Sequence, residues 1–183
     1  MKLGAFTFVL HCHLPYCRQA GRWPHGEEWL HEAASGTYLP LLTAIYDLKE
    51  EGVSFRLTLG LTPVLVEQLA DPLVLAHLRE FLDDKVRRAG EDGVRFEKEG
   101  DLHRRYLAQR HLAFYSGLRT SLDERFGGSL VGAFRRLQDE GYLEILTSAA
   151  THAYLPLLSR DSSIHAQLAA GVQSYRRHFG RAP

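Results

Sequence analysis

The sequence predicts an α/β fold built on parallel strands, and three features carry that prediction. Three short segments rich in Phe, Val, Leu, Ile and Thr, at 3–10, 53–59 and 143–147, have the length and composition of strands. Longer stretches with apolar residues at helical spacing separate them, so the strands must run parallel through crossover connections. Each strand ends in polar or histidine-bearing sequence, as expected where strand carboxyl ends carry a ligand site.

The elements follow in order. Residues 3–10 are apolar enough for a strand buried on both faces. The run resembles a secretion signal, yet it stops at His11 with no small-residue cleavage pattern, and it is too short to span a bilayer. A polar, aromatic loop occupies 15–26, then a short helix 27–34. A stronger helix over 37–51 has Tyr38, Leu41, Leu42, Ile45, Tyr46 and Leu48 on its apolar face and Gly52 as its stop.

After the strand at 53–59, Gly60-Leu61-Thr62-Pro63 ends it. Thr62 is placed to cap a helix over 64–70, with Pro63 at its first position. Asp71-Pro72 starts another helix to about residue 89, and the charged, glycine-bearing stretch over 83–105 reads as a solvated bend before a second helix. Long helices over 103–126 and 129–140 precede the third strand. Residues 148–159 read as a loop, and Asp161 caps a last helix in which Ile164, Leu168, Val172, Tyr175 and Phe179 repeat at helical spacing. Three strands cannot close a barrel, so the pattern fits an open sheet or the first portion of a larger one.

Composition narrows the function classes. The chain has 183 residues, 45% apolar and 24% charged, which is enough for a domain with its own core. Lys and Arg number 22 and so do Asp and Glu, so no net field draws nucleic acid or an anionic membrane. The only cysteines, Cys12 and Cys17, do not make a disulfide framework and fit a reducing cytoplasm.

His11 and His13 are two apart on an extended chain, so both side chains leave it on one side and Cys12 leaves on the other. Directed into a cleft, two imidazoles bond sugar hydroxyls or hold a metal. His152, after the third strand, is placed to join them. A metal needs further ligands, and no His-Glu-x-x-His, Cys-x-x-Cys or Asp-rich calcium loop occurs. Tyr16, Trp23 and Trp29, with Glu27 and Glu28, form a second group: aromatic faces stack on pyranose rings and carboxylates accept from hydroxyls. Trp29 lies within a helix and is assigned to packing. Glu67 and Glu144 are assigned to structure, because Glu144 lies near the start of its strand, away from the expected site. Ser148 has no Gly-x-Ser-x-Gly around it, and no glycine-rich phosphate loop is present.

Several motifs together resemble glycoside hydrolase family 57. They are His11-Cys12-His13-Leu14-Pro15-Tyr16, Trp23-Pro24-His25-Gly26-Glu27-Glu28, Thr37-Tyr38-Leu39-Pro40-Leu41-Leu42 and Gly60-Leu61-Thr62-Pro63-Val64-Leu65. The resemblance resumes at Leu143-Glu144-Ile145-Leu146-Thr147-Ser148, at Thr151-His152-Ala153-Tyr154-Leu155-Pro156-Leu157-Leu158 and at Tyr175-Arg176-Arg177-His178-Phe179-Gly180. It is weakest over 82–136 and is strongest toward the α-glucan branching enzymes of the family.

The resemblance implies the N-terminal part of a distorted (β/α)7 barrel with long helical insertions. It implies retaining transfer on α-1,4-glucan, with no cofactor and no required metal. By the same carry-over His11, His13 and His152 face the donor sugar, and Trp23, Glu27, Thr62 and Tyr154 join the substrate-binding set. Ala149, Ala150 and Ala153 stand where the family more often has Asn and Gly. The family's nucleophile glutamate and acid/base aspartate are implied to lie beyond residue 183, so the chain alone is expected to be inactive. An incomplete barrel is also expected to self-associate through its open edge. Three other readings use the same residues: an α-amylase or 4-α-glucanotransferase of the same family, a metal-dependent hydrolase or deacetylase built on the histidines, and a glycan-binding module without catalysis.

Overall fold

The structure, a computed structural model, describes Gly4 and residues 6–183. The expected first strand begins partly outside the described residues, since Met1, Lys2, Leu3 and Ala5 are not among them. The strand itself, β1, is Val9–Cys12. It is followed by α1 (Glu27–Ala33), which continues through a π-helical turn at Ala34–Tyr38 into α2 (Leu39–Glu50). Next come β2 (Leu57–Leu61) and α3 (Pro63–Leu69). Two long helices, α4 (Pro72–Lys98) and α5 (Leu102–Thr120), pack as an antiparallel hairpin, and a second π-helical turn extends α5 over Ser121–Arg125. The chain closes with α6 (Leu130–Asp139), β3 (Leu143–Leu146), a 3-10 turn at Leu155–Leu157, and α7 (Asp161–Phe179).

The three strands form one parallel sheet in the order β1-β2-β3. Leu10 pairs with Leu59 and Leu59 with Ile145, so equivalent positions line up across the sheet. Leu59, Leu61, Leu143 and Ile145 enter a core that also holds Leu30, Leu42, Leu65, Phe126, Phe134 and Phe179. Each fully buried Leu or Phe contributes roughly 1.5–3 kcal/mol of apolar burial.

Three expectations are corrected. First, β1 is not buried on both faces: Phe8 and Val9 are 54% and 63% exposed, because β1 pairs only with β2 and its outer edge faces solvent. Second, the helix expected to end near residue 89 runs on to Lys98, and the expected bend falls after it, at Gly100 with φ 70°. α4 runs unbroken through Gly90 and Gly93, with Arg87 bonded to Asp84 and Glu91, and Arg95 to Asp92, along one helix. A glycine costs a helix interior about 1 kcal/mol, and packing of α5 along α4 together with these pairs offsets it. Third, Asp161 does not cap α7. It occupies the first helical position after Arg160 and makes no capping bond, although its charge still complements the helix N-terminus. Asp71, Asp101 and Ser129 do cap, each accepting from a backbone N–H of the turn it begins.

His31 on α1 is 3% exposed, and its Nε2 has no hydrogen-bond partner. Burial, opposed more weakly by the Glu27 carboxylate, pulls its pKa from the ordinary 6.5 down to about 4. The unfolded chain therefore takes up this proton first as pH falls, and stability declines from about pH 6.5 down to about 4. Urea denaturation between those limits is expected to lose on the order of 3 kcal/mol through this group. His31→Asn should flatten that slope, and an unchanged slope would show that His31 does not carry it.

Candidate functional site

The parallel register brings the ends of the strands together. His11 stands opposite Gly60, Cys12 opposite Leu61, and Gly60 opposite Leu146. Extended backbone sends His11 and His13 to one side, with ring centroids 6.4 Å apart, and turns Cys12 into the core. A Cβ at Gly60 would stand 3.4 Å from His11 Nδ1, so glycine leaves the space that this ring uses.

His152 arrives from the loop after β3. Its ring centroid lies 4.9 Å from that of His11 and 4.4 Å from that of His13. Three imidazoles from two strand ends thus form one cluster, with His11 and His152 exposed and His13 partly buried. His152 has φ 58°, a left-handed conformation that costs a non-glycine residue roughly 1 kcal/mol or more. The surrounding bonds hold it there. His152 N–H donates to the Ala149 carbonyl at 2.9 Å, and Ala150 N–H to the Gln167 carbonyl at 2.9 Å. Val64 N–H, at the start of α3, donates to the Ala150 carbonyl at 3.1 Å. Thr151 N–H donates to Gln167 Oε1 at 2.9 Å. The alanines at 149, 150 and 153 leave the loop able to make this turn, with Ala149 buried beneath it.

Beneath His13, Thr62 is 1% exposed and its Oγ1 lies 3.1 Å from His13 Nδ1. The expected side-chain cap on α3 is absent, because Thr62 turns its hydroxyl to the histidine instead. Burial, then the neighbouring His152 and His11, hold the His13 pKa below its ordinary value, so this ring is neutral at pH 7. Among the described residues no group of three or more His, Cys, Asp or Glu is disposed to hold a metal ion.

The remaining expected site residues take other partners or stand in solvent. Glu27 is 4% exposed and its carboxylate is bonded to His77 Nδ1 at 2.6 Å, so it faces α4 inside the fold. Trp23 is 76% exposed and lines a cleft of about 480 Å³ with Arg22, Glu28, His31, Phe81 and Lys85, a lining that includes none of the three clustered histidines. Tyr154 stands in solvent two residues past His152. Glu67 ties α3 to α7 by accepting from Ser174 and Arg177, and Glu144 accepts from Thr58 across the sheet, so both glutamates have structural partners. Cys12 and Cys17 are free and buried, and burial raises the Cys12 thiol to about 11.

Three supporting residues escaped sequence reasoning. Gln68 is buried on α3, donates to the Pro15 carbonyl and accepts from Cys17 N–H, which fixes the loop after His13. A glutamine amid the apolar face of Leu65, Val66 and Leu69 was its signal. Gln167 and Gly171 hold the His152 loop from α7. A Cβ at Gly171 would fall 2.2 Å from the Ser148 carbonyl oxygen, and a lone glycine inside a helical pattern marks such an approach.

With the geometry in place, comparison with known proteins becomes informative. The sequence pattern of glycosyl hydrolase family 57 matches residues 7–183. The chain belongs to this family.

A 1,4-alpha-glucan branching enzyme of Thermococcus kodakarensis is 43% identical over 180 residues, which is 98% of this chain and 26% of that protein. The solved structure of a GH57-type branching enzyme from Pyrococcus horikoshii superposes with a TM-score of 0.89 at 46% identity, covering 97% of this chain and 33% of that one. An alpha-amylase from Thermotoga maritima superposes with a TM-score of 0.86 at 30% identity over the same shares, 97% and 33%. This family-57 chain therefore spans a quarter to a third of the length of these relatives. Three parallel strands with covering helices are the arrangement it shares with the solved members.

Gly171→Ala should force α7 away from the loop after β3. The expected cost is about 2 kcal/mol, or a fall in Tm of roughly 6 °C, with altered histidine NMR signals at His152. An unchanged Tm and unchanged His152 signals would show that the close approach does not hold the loop.

Proposed function

We propose that residues 1–183 form the N-terminal part of the (β/α)7 catalytic barrel of an α-1,4-glucan branching enzyme, with His11, His13 and His152 binding one glucose unit of the donor chain. The convergence of these three rings at strand carboxyl ends, in a family-57 chain, supports the reading most directly. Imidazole nitrogens match sugar hydroxyls, because they can donate or accept hydrogen bonds. Trp23 and Tyr154 supply exposed aromatic faces for further pyranose rings, and Thr62 acts through His13. Glu27 is left out of the binding set.

Retaining transfer needs two carboxyl groups about 5–5.5 Å apart across the scissile bond. The family resemblance assigns both to sequence beyond residue 183. The reaction calls for no cofactor and no metal. Its partner is an α-glucan such as amylose or glycogen, and its setting is glycogen biosynthesis in the cytoplasm. Two free thiols fit that compartment, and among the described residues no helix is long and apolar enough to cross a membrane.

Grafted in place of the matching segment of the Thermococcus kodakarensis enzyme, the chain is expected to support new α-1,6 branches on amylose, read by debranching and chain-length analysis. His152→Ala in that graft should lower kcat/KM by roughly tenfold or more, the loss of one hydrogen bond to a sugar. A folded graft that only releases reducing ends would replace transfer with α-amylase-type hydrolysis. An unchanged rate in His152→Ala would remove the histidines from the site.

The sheet also leaves apolar edges uncovered. Among the described residues β1 and β3 each pair on one side only, and Phe6, Phe8, Val9 and Leu146 are exposed. We propose that the 183-residue chain self-associates through these edges. Sedimentation velocity should show species that grow with concentration, and a monomer throughout the micromolar range would refute it.

A further inference from the structure

We infer that Thr62 locks His13 in its neutral Nε2–H tautomer, so that this ring offers the ligand a hydrogen-bond donor and has no free lone pair for a metal. The inference rests on the glucan-binding reading for the identity of the ligand only.

The side-chain cap of α3 is unmade. Thr62 has the extended backbone of a residue preceding a helix, where a threonine hydroxyl normally accepts from the second or third backbone N–H. Those donors are already taken. Pro63 has no N–H, Val64 N–H goes to the Ala150 carbonyl, and Leu65 N–H goes to the carbonyl of Thr62 itself. The backbone of Thr62 is also spent, since its N–H donates to the Cys12 carbonyl at 3.2 Å. The hydroxyl is left over and turns to His13 Nδ1 at 3.1 Å.

Burial then sets the direction of that bond. At 1% exposure, Thr62 cannot give its hydroxyl proton to bulk water. Among the described residues, His13 Nδ1 is the one acceptor bonded to it. If Nδ1–H donated instead, the hydroxyl proton would be buried without a partner, which is the costlier arrangement. The O–H therefore donates, Nδ1 accepts, and the ring proton sits on Nε2. The depressed pKa of His13, from burial first and then from His152 and His11, keeps the ring from taking a second proton near neutral pH. The donor thus offered matches an oxygen lone pair of a sugar hydroxyl. A metal would need that proton removed from Nε2, and restoring it to Nδ1 would reverse the Thr62 bond and leave the buried hydroxyl proton without a partner. Thr62 is on this account a positioning residue that sets the polarity of His13.

Nitrogen-15 NMR of the histidine-labelled chain at pH 7.5 tests this directly. His13 should show a pyridine-type Nδ1 and a pyrrole-type Nε2. Thr62→Val, which keeps the shape and removes the donor, should shift His13 toward a mixture, while Thr62→Ser should keep the wild-type pattern. Maltooligosaccharide affinity should fall roughly tenfold in Thr62→Val and stay within about twofold of wild type in Thr62→Ser. A protonated Nδ1 in the wild type, or a Thr62→Val protein with unchanged His13 signals, overturns the inference. Should Thr62→Val fail to fold, the wild-type and Thr62→Ser spectra still decide it. A wild-type chain with the expected tautomer and no maltooligosaccharide binding would refute the glucan reading while sustaining the tautomer.

Discussion

The parallel register of three strands is the constraint on which the site depends. With Leu10, Leu59 and Ile145 aligned across the sheet, the chain leaves β1 and β3 at the same level, and residues about 140 positions apart meet there. A shift of one residue in β1 would turn His11 and His13 toward the core and Cys12 toward the cluster, because side chains alternate. Cys12, buried in the core, and Leu10, packed against it on the same face of β1, oppose that shift. The placement of the rim histidines is thus fixed by apolar packing below them.

A second layer converts that placement into orientation. Gly60 makes room for one ring, Thr62 bonds the next, and α7 holds the left-handed turn that carries the third. None of these groups needs to touch a ligand. They are short, buried or backbone contacts, and they hold side chains that are themselves exposed or partly exposed. This division suits a carbohydrate site, where open grooves must bind a long chain yet present hydroxyl partners at defined angles.

Much of this was legible in the sequence. Strand composition and helical spacing gave the element order, and two-residue spacing put His11 and His13 on one side. The loop after the third strand marked His152. Illegible were the contacts that depend on what stands opposite. Glu27 read as a surface carboxylate because His77, fifty positions away, does not announce itself as a partner. Trp23 read as a face for stacking sugar, but a loop of aromatic residues does not tell which cleft it will line. An early end to α4 was expected from Gly90 and Gly93, whose local cost is real, and was cancelled by a neighbouring helix that local reasoning does not see, while the bend itself falls at Gly100. β1 read as buried because its composition is that of a central strand, whereas its pairing leaves one edge open.

The α4–α5 hairpin has a separate implication. It leaves the body after α3 and returns before α6, and its two helices find most of their packing in each other. Its ion pairs are largely within or between these helices. Such an arm assembles from sequence-local encounters and answers to few demands from the sheet. Evolution can therefore lengthen it, trim it or repaint its surface while the histidine rim stays untouched, making the arm the natural place for divergence among proteins that share one chemistry.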